Sequence, residues 1–195
     1  MLIKVDFADP SAYIVVFWVA WLVIWIVAAR GVKKVRAHEP TSTRLAYILP
    51  KILTALLLFS PMFRRGVLSQ RFIGISPAAQ WTGVAFTALG ILFTIWARVH
   101  IGRNWSARVV IKEQHELVRT GPYRFVRHPI YTGLLIAIAG TALVTGEWRG
   151  VVALVFAILG FAWKAKREEA ILFGEFGEDY ARYRSETGML LPRIR

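Results

Sequence analysis

Two long stretches of the chain carry no charge. Ser11 to Ala29 and Phe72 to Ala97 contain no Asp, Glu, Lys or Arg, and crossing a hydrocarbon core takes about 20 helical residues. The first predicts a membrane helix over about 12–29. That run begins too far into the chain, and is too long, for an ordinary cleavable signal. A second helix fits about 45–63, with Pro50 inside it predicting a kink or a late start and Pro61 closing it. Pro77 suits the first turn of a third helix, about 77–99. Its Gly83, Ala85, Ala88 and Gly90 suit close helix contact. Residues 100–127 are polar, with no apolar run long enough to span. A fourth helix starts near Pro129 and continues to about Gly146. The turn Glu147-Trp148-Arg149-Gly150 is short enough to return the chain as an antiparallel helical hairpin. The fifth segment has only fourteen uncharged residues, Gly150 to Trp163. It therefore carries Lys164, Arg167, Glu168 and Glu169 at or just beyond the membrane boundary.

Composition strengthens this picture. The chain has 195 residues, is 56% hydrophobic and holds eight Trp, too apolar for a soluble domain of this size. The predicted fold is all-α, an integral membrane bundle of about five transmembrane helices. Residues 1–99 supply the N-terminal helices, and 100–195 form a catalytic-looking region that includes the helical hairpin. No repeat or low-complexity segment is visible. The absence of Cys excludes disulfides, thiolate catalysis and Cys-based zinc sites. The net charge of +13 does not point to nucleic acid, because the basic residues lie between apolar segments, where they set topology and meet anionic headgroups. In a five-helix count the first loop (Arg30, Lys33, Lys34, Arg36, Arg44) and the basic 100–127 segment share one side. That side is predicted to be cytoplasmic, with the N-terminus outside and the C-terminus inside.

Candidate chemistry concentrates in HELVRTGPYRFVRHPIYTG, His115 to Gly133. Pro129 at a helix start leaves free backbone N–H groups and a positive dipole end, a natural place for a carboxylate or phosphate. Arg127 beside it offers a fork of donors. Taken alone, an interfacial Arg of this kind more often only snorkels to headgroups. Glu168-Glu169 follows Lys164, Lys166 and Arg167, with Lys164 and Glu168 spaced to share one helix face. Taken alone, that is more often a solvated helix end with local ion pairs. The short hairpin turn raises the functional reading, because it brings the start of helix four beside the end of helix five. His100, His115 and His128 match no compact metal-ligand spacing, so no metal is expected. There is no Ser-centred nucleophile elbow and no glycine-rich phosphate loop. Tyr123, Phe125, Tyr131, Trp105 and Trp163 belong mostly to an interfacial belt, and one or two suit a purine or sulfonium pocket.

The order HELVRTGPYRFVRHPIYTG, REEAILFGEFGEDYARYR and LLPRI resembles the isoprenylcysteine carboxyl methyltransferase family and its phospholipid methyltransferase relatives, over about residues 100–195. The resemblance implies an S-adenosylmethionine-dependent membrane methyltransferase. By that resemblance the cofactor set is His115, Glu116, Leu117, Val118, Tyr123, His128, Pro129, Ile130, Tyr131 and Glu168. Arg127, Lys164 and Glu169 are the catalytic candidates. Lys164 stands where the family resemblance leads one to expect Arg. It lacks the bidentate fork, and Arg127 is positioned in sequence to compensate. The acceptor expected is an isoprenylcysteine-like carboxylate on a lipophilic tail, with membrane lipids as surroundings and no obligate protein partner. Such a carboxylate needs a cation and no base. A phospholipid amine, the alternative acceptor, must first lose a proton, which casts Glu169 or His128 as base. A sterol-type reductase using NADPH and a non-enzymatic membrane scaffold are the remaining readings.

Overall fold

The computed structural model describes residues 8–29, 41–105 and 116–193. Five long helices account for most of them: α1 (Pro10–Ala28), α2 (Thr41–Phe59), α3 (Pro77–Ile101), α4 (Pro129–Thr145) and α5 (Trp148–Glu186). Short 3-10 turns join several of these, and the described residues contain two isolated bridges but no strand. The all-α expectation holds.

The helix starts follow from their caps. Asp9 Oδ1 accepts from the Ser11 N–H at 2.9 Å ahead of Pro10, and Ser76 Oγ accepts from the Ala79 N–H at 3.2 Å ahead of Pro77. α2 stops at Phe59 rather than 63, because Pro61 has no N–H to continue it and opens a 3-10 turn capped by Ser60. α5 runs far beyond its apolar half, to Glu186. Gly177, at φ 49°, breaks it locally.

The expected bundle of about five helices is borne out, and among the described residues three of them, α1, α3 and α5, are long and apolar enough to cross a membrane. The apolar part of α2, Leu45–Phe59, and the seventeen-residue α4 are shorter. At the helical rise, α4 reaches about 26 Å, against a hydrocarbon core of about 30 Å.

α4 compensates by packing inside the bundle, antiparallel to α3 along a seam of small residues. A methyl group at Gly90 would sit 2.5 Å from the Gly133 carbonyl, and one at Gly133 would sit 2.6 Å from the Gly90 carbonyl. Gly83 and Gly140 make the same reciprocal approach seven residues along each helix. Thr87 and Thr94 fill the α3 side between and beyond them, both fully buried. Of the small residues expected at this contact, Gly83 and Gly90 serve it, whereas Ala85 is exposed and Ala88 half-buried. Bare backbones in contact gain dispersion that lipid tails cannot better.

α2 lies against α5. Pro50 packs on Gly160, and Thr54 Oγ1 donates to the Ala153 carbonyl at 3.2 Å. α1 leaves Val16, Val23, Ile26 and Val27 exposed, apolar surface suited to lipid. Its inner face carries Trp18, whose Nε1 donates to Thr141 Oγ1 at 3.0 Å.

Candidate functional site

The hairpin brings the N-terminus of α4 beside the middle of α5, where the uncharged run of α5 ends. His128 precedes Pro129 at the start of α4, and no side chain caps that helix end. Glu168 and Glu169 are consecutive on α5 and so diverge around the helix, and His128 lies between them. Its Nδ1 is 3.4 Å from Glu168 Oε2 and its Nε2 is 3.3 Å from Glu169 Oε1. Burial alone would disfavour the imidazolium, but the two carboxylates outweigh it and raise the His128 pKa above its ordinary value.

Each carboxylate has its own further partners. The Tyr131 hydroxyl lies against Glu168, 2.8 Å from Oε1 and 2.9 Å from Oε2. Lys164 Nζ is 3.4 Å from Glu168 Oε1, the i,i+4 pairing anticipated from the spacing. Arg127 Nε donates to Glu169 Oε1 at 2.7 Å, and Arg184 Nε lies 3.8 Å from Glu169 Oε2. Lys164 and Glu169 are buried, and Glu168 keeps one-fifth of its side chain exposed. The rings of His128, Tyr131 and Phe161 stack in series, His128 on Tyr131 at 5.4 Å and Tyr131 on Phe161 at 5.0 Å.

Two cavities meet at this cluster. One is lined by Glu116, Leu117, Val118, Tyr123, Arg127, His128, Pro129 and Glu168, together with Tyr180 and Tyr183. The other, larger and overwhelmingly apolar at about 570 Å³, lies among α1, α2, α4 and α5, where its lining includes Lys164. Trp105, Ile130 and Tyr131 line both and so form the wall between them.

Against expectation residue by residue, the structure gathers Glu116, Leu117, Val118, Tyr123, His128, Pro129, Ile130, Tyr131 and Glu168 around the first cavity, with Arg127. Lys164 falls on the second. Glu169 lines neither and touches Arg127 and His128. His115 lies outside the described residues. Among the described residues no His/Asp/Glu cluster could hold a metal.

Three contributions escaped the sequence reading. Tyr183 donates to the Tyr123 carbonyl at 2.6 Å, and with Tyr180 it closes the first cavity. The C-terminal segment lies alongside Val126–His128. The Arg127 N–H donates to the Gly188 carbonyl at 2.9 Å and the His128 N–H to the Met189 carbonyl at 3.1 Å. Arg127 also donates to the carbonyls of Arg184 and Thr187. The signal was present in the FGEDYARY and LLPRI stretches, which carried the resemblance without a stated role. The third is Trp105, a shared wall rather than a belt residue.

These features define a class: a helical membrane protein in which a glutamate lining one cavity is ion-paired with a buried lysine lining an adjoining apolar one. Residues 83–173 match the model of the isoprenylcysteine carboxyl methyltransferase family. That segment covers most of α3, all of α4 and the part of α5 bearing the acidic pair, and the match bears out the resemblance read from the sequence. The chain is 33% identical over 120 residues to the protein-S-isoprenylcysteine O-methyltransferase of Schizosaccharomyces pombe, covering 59% of this chain and 50% of that one. It is 40% identical over 74 residues to the methanethiol S-methyltransferase of a Pseudomonas strain, covering 36% and 26%. The chain thus spans about half the length, or less, of these relatives. A solved structure of a eukaryotic intramembrane Ras methyltransferase, isoprenylcysteine carboxyl methyltransferase, shares the fold. It matches with a TM-score of 0.55 at 20% identity, over 82% of this chain and 55% of that one.

Proposed function

We propose that this chain is an S-adenosylmethionine-dependent methyltransferase that O-methylates a carboxylate on a lipophilic, isoprenylcysteine-like acceptor. The observation that carries the reading is the shared wall. Glu168 lines the polar cavity and Lys164 the apolar one, the two are ion-paired at 3.4 Å, and Ile130 and Tyr131 belong to both cavities.

The residues of the first cavity suit the cofactor chemically. The uncapped start of α4 and Arg127 offer donors to its carboxylate. Glu168 answers its ammonium group, and Leu117, Val118 and Ile130 give an apolar bed for adenosine. When bound, S-adenosylmethionine supplies a sulfonium methyl group for in-line transfer. The protein contributes position and exclusion of water. Lys164 holds the acceptor carboxylate at the wall, and Tyr131 fixes Glu168. Arg127 and Glu169 lock His128 in place.

A carboxylate acceptor fits the electrostatics better than an amine. His128 has a carboxylate beside each ring nitrogen, and Glu169 is tied to Arg127. An amine acceptor would need one of these groups as its base, whereas a carboxylate acceptor needs none. The excess of Lys and Arg in the first loop and in residues 100–127 supports a cytoplasmic orientation of the polar cavity, with the tail entering from the bilayer between α1 and α2.

Calorimetric titration of purified protein with S-adenosylhomocysteine tests the reading. Wild type is expected to bind, and Glu168→Gln to lose about 100-fold in affinity, the scale of truncating one partner of a buried charge pair. Absence of binding to folded wild type would sink the proposal. Transfer of labelled methyl to N-acetyl-S-farnesylcysteine then tests the acceptor.

A further inference from the structure

Four of the described tyrosines line the polar cavity: Tyr123, Tyr131, Tyr180 and Tyr183. Three of their hydroxyls are spent inside the protein. Tyr131 bonds Glu168, Tyr183 donates to the Tyr123 carbonyl at 2.6 Å, and Tyr123 reaches the Ala97 carbonyl at 3.4 Å. Tyr180 is the exception. It is 1% exposed, and its hydroxyl is buried with no hydrogen-bond partner among the described residues. Leaving a buried hydroxyl so costs stability unless something that enters the cavity supplies the partner.

The position of that ring is closely determined. Gly177, at φ 49°, breaks the helical line of α5. Tyr180 and Tyr183 follow three residues apart and share a face of the turns beyond the break. Their rings meet edge-on at 6.1 Å, and the bond from Tyr183 to the Tyr123 carbonyl ties that face to the cavity. Tyr180 stands within electrostatic reach of Arg127 and Glu169. Arg127 lines the same cavity, and Glu169 is already engaged by the Arg127 Nε at 2.7 Å. A fixed phenol with an unspent O–H, close to a guanidinium on the cavity wall, suits a carboxylate. The phenol donates to it and the arginine balances its charge.

We propose that Tyr180 is a cofactor-binding residue whose hydroxyl donates to the carboxylate at the amino-acid end of the cofactor, beside Arg127. The inference rests on the proposed function for the identity of the ligand. Its own content is that the part of α5 beyond Gly177, outside the segment 83–173 that matches the family, reads that carboxylate.

The test is calorimetry on the full chain in detergent, with S-adenosylhomocysteine and its decarboxylated analogue as probes. The analogue keeps the nucleoside, the thioether and the ammonium group and lacks only the carboxylate. Tyr180→Phe removes only the hydroxyl. The variant is expected to lose about tenfold or more in affinity for S-adenosylhomocysteine, the scale of one hydrogen bond to a charged group. It should bind the decarboxylated analogue as wild type does. With the orphaned hydroxyl gone, ligand-free Tyr180→Phe should melt no lower than wild type. A hydroxyl with a structural role would lower the melting temperature, and that result overturns the inference. So does a loss of affinity shared equally by the analogue. If wild type binds S-adenosylhomocysteine and Tyr180→Phe matches it, the methyltransferase reading stands and Tyr180 falls. If folded wild type binds neither probe, both fall together.

Discussion

The α4–α5 hairpin has a buried arginine–glutamate pair at each end, and the two ends are built for different purposes. At the turn, Arg149 pairs with Glu147 and donates to the carbonyls of Leu57 and Leu58 at 2.9 and 2.8 Å, closing the C-terminus of α2. Glu147 and Arg149 line neither described cavity. At the open end, Arg127 pairs with Glu169, His128 bridges both carboxylates, and the cluster borders two cavities. A buried ion pair is thus no sign of a site by itself. What separates the ends is that Arg127, His128 and Glu168 line a cavity at the open end, whereas the donors of Arg149 close on Glu147 and on helix-end carbonyls.

The largest expected effect breaks the comparison at its structural end. Arg149→Leu strands Glu147 and two helix-end carbonyls, and it should cost about 3–5 kcal/mol of stability. Its folded fraction should still bind S-adenosylhomocysteine with wild-type affinity. Thermal unfolding in detergent alongside calorimetry checks both halves. An Arg149→Leu protein of normal stability would show the turn end to be no clamp.

A smaller effect is expected at the seam that carries α4. Gly90→Ala places a methyl group 2.4 Å from the Ala137 backbone nitrogen, so α3 and α4 must separate. The overpacking cost is about 1–3 kcal/mol, read as a fall in melting temperature. Ala85→Val, on the exposed face of α3, is the control and should be near neutral.

The smallest effect sharpens the open end. The two carboxylates raise the His128 pKa in the folded protein above the unfolded value, which is about 6.5. The stabilisation it brings is complete below that unfolded value and is lost as pH rises through the folded pKa. Wild type should therefore lose roughly 2–4 °C more melting temperature than His128→Asn between acidic and alkaline buffer. Parallel melting curves for the two proteins would contradict this.

Much of this architecture was legible before any coordinates. Uncharged runs located α1 and α3, prolines at Pro77 and Pro129 marked two helix starts, and the short Glu147–Gly150 turn implied that α4 and the acidic pair of α5 would meet. The i,i+4 spacing anticipated the Lys164–Glu168 pair. The motif stretch also named most of the residues that line the polar cavity. Other features stayed hidden. Ala85 and Ala88 read the same as Gly83 and Gly90, and only the position of α4 decides which of them it touches. The continuation of α5 to Glu186 had no apolar run to announce it. Tyr183 reaches the Tyr123 carbonyl sixty residues away.

The sequence by itself determined the helical class, the membrane character, the hairpin and the residue types available for chemistry. Those follow from local propensity and from the cost of charge in hydrocarbon, which act along the chain. The tertiary structure alone decided that α4 is a short helix held inside the bundle, that Glu169 meets Arg127 and His128 rather than a cavity, and that Lys164 and Glu168 pair across the wall between two cavities. Those depend on which side chains meet across helices, and burial and hydrogen-bond pairing between distant residues leave no periodic trace in the chain.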